Sequence, residues 1–161
     1  MSGREEAFSL IELMIVVAII LVIAAIAIPS LLRSKIAANQ ASAIESLRVI
    51  GTSEVTYAAT YGSGYSTTLA SMGPIPSGAV ATSSAAGLID DLLASGAKSG
   101  YTFTYSPSLL DSTGLYNGFT VLANPIVAGT TGADYYYEDQ THLIRMNATA
   151  PAGSTDSCVA E

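Results

Sequence analysis

Few residues in this chain carry the means to do chemistry, and they fall in four places. Glu12 is the first. It is the charged side chain within an otherwise uncharged run from Phe8 to Leu32. A carboxylate in a membrane helix costs roughly 2.5–3.5 kcal/mol at the bilayer centre and less near the interface. Glu12 therefore calls for a partner, or else it sits solvated at headgroup level. The second place is a group of carboxylates, Asp134, Glu138 and Asp139, around the last expected hairpin, with Asp156 within reach from the tail. Calcium takes six to eight oxygen ligands, so these four are a weak candidate set for calcium. Solvated acidic turns are the ordinary alternative. The third is the lone imidazole, His142, in an expected hairpin turn, and the fourth is the lone thiol, Cys158, in the tail. One cysteine allows no intrachain disulfide, and one His with one Cys argues against a zinc site.

A nucleophile needs a positioned base and an oxyanion site, and no such grouping is legible. Phosphate loops and dinucleotide fingerprints are absent from the sequence. The expectation is a chain that is not an enzyme and holds no cofactor, with calcium as the one metal its acids could suit. A net charge of −7 speaks against nucleic acid as a partner.

These residues are carried by two dissimilar objects. Half of the 161 residues are apolar, and the excess is concentrated near the start. No polar side chain occurs between Leu13 and Ile28, and beyond Ser66 the chain is rich in Gly, Ser, Thr and Ala. About 20 apolar residues suffice to cross a membrane, and Phe8 to Leu32 supplies that length. A cleaved secretory signal would have a basic start and a shorter apolar core. Met1 to Ala7 instead sets Arg4 against Glu5 and Glu6. A buried core helix is the remaining alternative, but a polar head of about 100 residues is too small to surround it.

The run Phe8-Ser9-Leu10-Ile11-Glu12-Leu13-Met14-Ile15-Val16-Val17-Ala18-Ile19-Ile20, followed by Ala24-Ala25-Ile26-Ala27-Ile28-Pro29, resembles the N-terminal signature of type IV pilins and type II secretion pseudopilins. The resemblance implies a leader, residues 1–7, removed by a prepilin peptidase that cuts between Ala7 and Phe8 and methylates the new amine. It implies that Glu12 meets the N-terminal amine of a neighbouring subunit during assembly, and that Pro29 kinks the helix. Three positions depart from the family's usual pattern. Ala7 stands where Gly is usual before the cut, the leader sums to −1 rather than being basic, and Leu21 replaces a Gly midway along the apolar run.

The expected fold is α+β and pilin-like: a long N-terminal helix packed on a small antiparallel sheet of about four strands. Residues 8–32 form the apolar half of the helix and residues 33–61 an amphipathic half. In the latter, Ile36, Ala43, Ile44, Leu47, Ile50, Val55 and Ala58 recur at helical spacing, and Gly62-Ser63-Gly64 stops the helix. The whole helix would reach about 80 Å at 1.5 Å per residue. Residues 62–161 form a head with a loop, a short helix over Ala85–Ala94, and strands at Tyr101–Tyr105, Gly118–Ala123, Asp134–Tyr137 and Leu143–Asn147. The tail from Ala148 is expected to be irregular.

The function expected is that of a type IV pilus subunit, with a type II secretion pseudopilin or a minor pilin acting as a binding module as alternatives. Its expected partners are further copies in a helical filament, the prepilin peptidase, the inner-membrane assembly machinery, and the membrane itself before assembly. Its expected location is the inner membrane and then an extracellular pilus, or a periplasmic pseudopilus in the alternative.

Overall fold

The computed structural model describes residues 8–159. The expected leader, with the cleavage residue Ala7, lies outside the described residues. One helix, α1 (Leu10–Tyr61), runs without a break through Pro29. The chain divides after Lys35 into two compact units, and α1 contributes to both.

In the first unit the helix is built from Leu, Ile, Val, Met and Ala. Many of these are β-branched and are indifferent helix formers in water. A helix is nonetheless what such a segment adopts where water is excluded, because every backbone N–H and C=O is then satisfied internally. Its large apolar side chains, from Leu10 to Leu32, are exposed.

In the second unit α1 buries one stripe: Ala43, Leu47, Ile50, Glu54 and Tyr57, with Ser46, Gly51 and Ser53 alongside. The spacing follows the 3.6-residue period. One expectation changes here: Val55 is 49% exposed. The stripe passes instead through Glu54, outside the expected recurrence, whose side chain is fully buried. Glu54 is tolerated because both oxygens are used. The Ser66 hydroxyl donates to Oε1 at 2.5 Å and the Ser66 amide to Oε2 at 2.8 Å. The helix ends as the glycines predict. Gly62 takes φ +62°, and its N–H bonds the carbonyl of Ala58, a left-handed C-terminal cap that glycine adopts without strain.

The head then forms two short helices, α2 (Leu69–Met72) and α3 (Asp91–Ala94), and six strands: β1 (Ala97–Lys98), β2 (Tyr101–Leu110), β3 (Tyr116–Pro125), β4 (Tyr135–Asp139), β5 (Arg145–Asn147) and β6 (Ser157–Cys158). They make one antiparallel sheet in sequence order. The α+β class is as expected, while the strand count rises from four to six. The two additions are two-residue edge strands. β6 pairs Cys158 with Arg145 and Ser157 with Met146, so part of the tail is ordered into the sheet.

Ser106-Pro107 does not end β2. Pro107 pairs with Phe119, and β1 reaches only as far as Tyr101 and Thr102. The other side of β2 is therefore an edge at Pro107, where a missing N–H is tolerated. The helix expected over Ala85–Ala94 shrinks to α3. The N–H groups of Ala86, Gly87, Leu88 and Ile89 bond the carbonyls of Ser71, Gly73 and Met72 instead, and Asp90 caps α3 by accepting from the Leu93 N–H at 2.8 Å.

The core is the α1 stripe with Met72, Ile89, Leu93, Tyr101, Phe103, Phe119, Val121 and Tyr136. Tyr136 is buried between half-buried Tyr135 and Tyr137, the alternation a strand dictates.

Glu54→Ala removes the carboxylate that accepts from the Ser66 amide and hydroxyl; the hydroxyl keeps the Thr68 carbonyl at 3.2 Å, but the buried amide is left unsatisfied. The substitution should lower stability by about 1–3 kcal/mol or more, read as denaturant unfolding of the full chain in detergent. Glu45→Ala, on the exposed side of the same helix, should stay within about 0.5 kcal/mol. Equal effects would mean that the Glu54–Ser66 bonds are inconsequential.

Candidate functional site

The N-terminal segment is arranged around the start of α1. Phe8 precedes the helix and is 80% exposed. The Ser9 carbonyl accepts from the Glu12 and Leu13 N–H groups at 3.1 and 3.2 Å, so Ser9 begins the helical ladder. Glu12 lies in the first turn, where the partial positive charge of the helix N-terminus favours a carboxylate. From there to Leu32 the large side chains are apolar and uncovered. α1 is long and apolar enough to cross a membrane, and none of its most apolar window is buried. Pro29 cannot donate to the ladder and crowds the preceding turn, yet the helix continues beyond it.

The four acids expected to gather for calcium have separate duties. Asp134 Oδ2 accepts from the Gln40 amide at 2.6 Å, tying α1 to the entry of β4. Asp139 accepts from the Thr141 N–H at 2.9 Å and the Thr141 hydroxyl at 2.5 Å. Burial raises the Asp139 pKa, but the Thr141 bonds outweigh it and the net shift is downward. Asp156 accepts from Asn147 at 3.2 Å and from the Gly153 N–H at 2.7 Å. Among the described residues no group of three or more His, Cys, Asp or Glu is placed to hold a metal ion.

Glu138 is the unusual member. Its side chain is 2% exposed, and its Oε2 has no hydrogen-bond partner among the described residues. His142 Nδ1 lies 3.7 Å from Oε1, too far for a hydrogen bond. Burial, with a smaller push from the Asp139 carboxylate, lifts the Glu138 pKa to about 8 against the pull of Arg48. The carboxyl is thus held neutral in ordinary buffers. α1 approaches it at Gly51. A Cβ there would collide with Glu138 Oε1 and come within 2.8 Å of His142 Nδ1. A helix-interior glycine is roughly 1 kcal/mol less favourable than alanine, and this close approach is its reason.

His142 and Cys158, which look unrelated in the sequence, border one cavity of about 190 Å³ together with Arg48, Leu143, Ile144 and Val159. Three residues of consequence escape a reading of the sequence: Arg48, Gly51 and Glu54. The strict recurrence 47, 50, 54, 57 was the available signal for Glu54. Arg48 and Gly51 gain their meaning only from what the sheet brings against them.

Residues 3–28 match the model of the prokaryotic N-terminal methylation motif. This is the prepilin-type cleavage and methylation segment of type IV pilins and pseudopilins. The match supports a precursor of pilin or pseudopilin type. No curated protein and no solved structure matches the chain.

Glu138 makes stability depend on pH with a defined sign. Its folded pKa, about 8, lies above the ordinary 4.5, so between those values the folded state binds more protons than the unfolded state. Its contribution is complete below about pH 4.5 and is lost as pH rises towards 8. Full-chain unfolding in detergent should weaken by a few kcal/mol at most over that window. Glu138→Gln should flatten the profile. A parallel decline in wild type and variant would assign the pH dependence to other groups.

Proposed function

We propose that the chain is the structural subunit of a type IV pilus. A prepilin peptidase cuts between Ala7 and Phe8 and methylates the Phe8 amine. The apolar half of α1 holds the mature subunit in the inner membrane, and the assembly machinery there moves it into a helical filament of identical copies that reaches the cell surface. The observation that carries this reading is a coincidence in one segment. The methylation motif spans residues 3–28, and the same residues, from Leu10 on, form an apolar helix that is left uncovered. Uncovered apolar surface of this extent marks a membrane or protein interface.

Within that reading Glu12 sets the register. Rows of Leu, Ile and Val can slide past one another by a turn at little loss. A charge pair cannot slide without leaving both charges unpaired in a low-dielectric core. The ammonium of Phe8 in a neighbouring copy is the natural counter-charge, and breaking a buried pair by removing one partner costs about 3–5 kcal/mol. A bound calcium ion at the head's acids is not part of this reading, since Asp134, Asp139 and Asp156 already have partners within the chain.

Intact-mass analysis of filaments sheared from cells should give a chain that starts at Phe8 and carries one added methyl group. A mass that includes Met1–Ala7 would sink the processing step. Electron microscopy of cells with and without this chain separates a surface pilus from a periplasmic pseudopilus.

Glu12→Gln keeps shape but removes charge. Membrane-bound mature protein should persist while sheared filaments are lost, and normal filament yield would show Glu12 to be a solvated interfacial carboxylate.

A further inference from the structure

Among the described residues of the second unit, the cations are Arg48, Lys98 and Arg145, and the one imidazole is His142. Lys98 is paired with Asp90. Arg48 and Arg145 form no ion pair among the described residues, although the chain carries a net charge of −7. Both lie at the same corner. Arg48 and His142 border the cavity described above, and Arg145 Nη1 is 3.7 Å from Cys158 Sγ, another wall of it. The remaining walls, Leu143, Ile144 and Val159, are apolar. A site with a guanidinium and an imidazole over an apolar wall suits a carboxylate next to an aliphatic side chain.

The same head presents that pair elsewhere. Asp91 is exposed and its side chain makes no hydrogen bond or ion pair among the described residues, whereas its neighbour Asp90 caps α3 and holds Lys98. Leu92, next in the chain, is 61% exposed although Leu93 beside it is fully buried. α3 leads directly into β1, one edge of the sheet, while the cavity includes Cys158 and Val159 at β6, the other edge. A contact between opposite edges of identical molecules is heterologous. It propagates into an open helical array where the rotation does not close, and it is not the self-complementary contact of a closed dimer.

We propose that this cavity receives the Asp91–Leu92 corner of a second copy of the chain, with Asp91 against Arg48 and His142, and Leu92 against Leu143, Ile144 and Val159. The inference rests on the filament reading above and adds to it a specific contact between heads. Electrostatic complementarity of this kind fixes which faces meet.

Cys158 makes the test direct, because it is the only cysteine in the chain and it lines the receiving cavity. Sheared filaments of Leu92→Cys, treated with a short bis-maleimide and run under denaturing conditions, should give a ladder of linked subunits. Wild-type filaments should not. Val80→Cys, more exposed than Leu92 but outside the proposed contact, should give none either. Asp91→Lys should lower filament yield about tenfold, close to 1.4 kcal/mol, and Arg48→Asp in the same chain should restore it. Intact Leu92→Cys filaments without a ladder, as a small free anion in the cavity would leave them, overturn the contact while the pilus reading stands. A ladder of equal strength from Val80→Cys also overturns it. Cells whose wild-type chain yields no filament at all overturn the pilus reading beneath it.

Discussion

The structure depends on one unmet requirement: the apolar surface from Leu10 to Leu32 has nothing in the described chain to cover it. At about 25 cal/mol per Å² of apolar surface, leaving so many Leu, Ile and Val side chains in water is too unfavourable to persist. Lipid meets the requirement first, because a helix satisfies its own backbone there. Other copies of the same helix meet it equally well, since lipid tails and Leu side chains are alike in polarity. The apolar segment is therefore indifferent between bilayer and bundle. On the pilus reading, that indifference would let a subunit pass from one to the other without an intervening exposed state.

The head solves a different problem. It is small, rich in short polar residues, and lacks disulfides, so its helix and sheet must approach closely. Gly51 permits that approach, and Glu138 is caught behind it as a neutral acid with one unpartnered oxygen. Glu54 is held by both of its oxygens to Ser66, the first buried residue after the helix turns back. Asn39 and Gln40 reach Thr131 and Asp134 at 2.7 and 2.6 Å. Polar bonds thus complement a thin apolar core along the whole seam. Each is directional, so together they select one docking of helix on sheet where Ala and Leu alone would allow several.

The apolar helix was legible because its signal is both long and local: sixteen consecutive residues without a polar side chain, from Leu13 to Ile28, bounded by Glu12 and Pro29. The antiparallel order and the central strands were also legible, from β-branched and aromatic runs between Gly and Pro. What escaped was non-local. Nothing in Ser157-Cys158 announces a strand, because two residues have no periodicity and the pairing is supplied by Arg145 and Met146. Pro107 looks like a stop until β1 is seen to be too short to reach it. Val55 looks like core and Glu54 like surface, and only Ser66 reverses that order. The acids near the last hairpin read as one cluster by proximity in sequence, but Asp134, Asp139 and Asp156 each take a separate partner, and Glu138 is buried without a hydrogen bond to Oε2.

A filament built from the apolar helix alone would lack any defined register, since dispersion and burial are non-directional. Directional groups must supply it, and the chain has few. In the helix there is Glu12, whose charge has no counterpart among the neighbouring side chains of its own run. In the second unit there are Arg48, Arg145 and Asp91, none of them in an ion pair among the described residues. A chain of net charge −7 that leaves these guanidiniums out of any close ion pair keeps attraction available for another molecule. In the filament proposed above, copies that repel one another overall would associate only where a cation of one faces an anion of the next. Opposite edges of a single sheet would give such a contact a direction, and direction is what separates a growing filament from a pair.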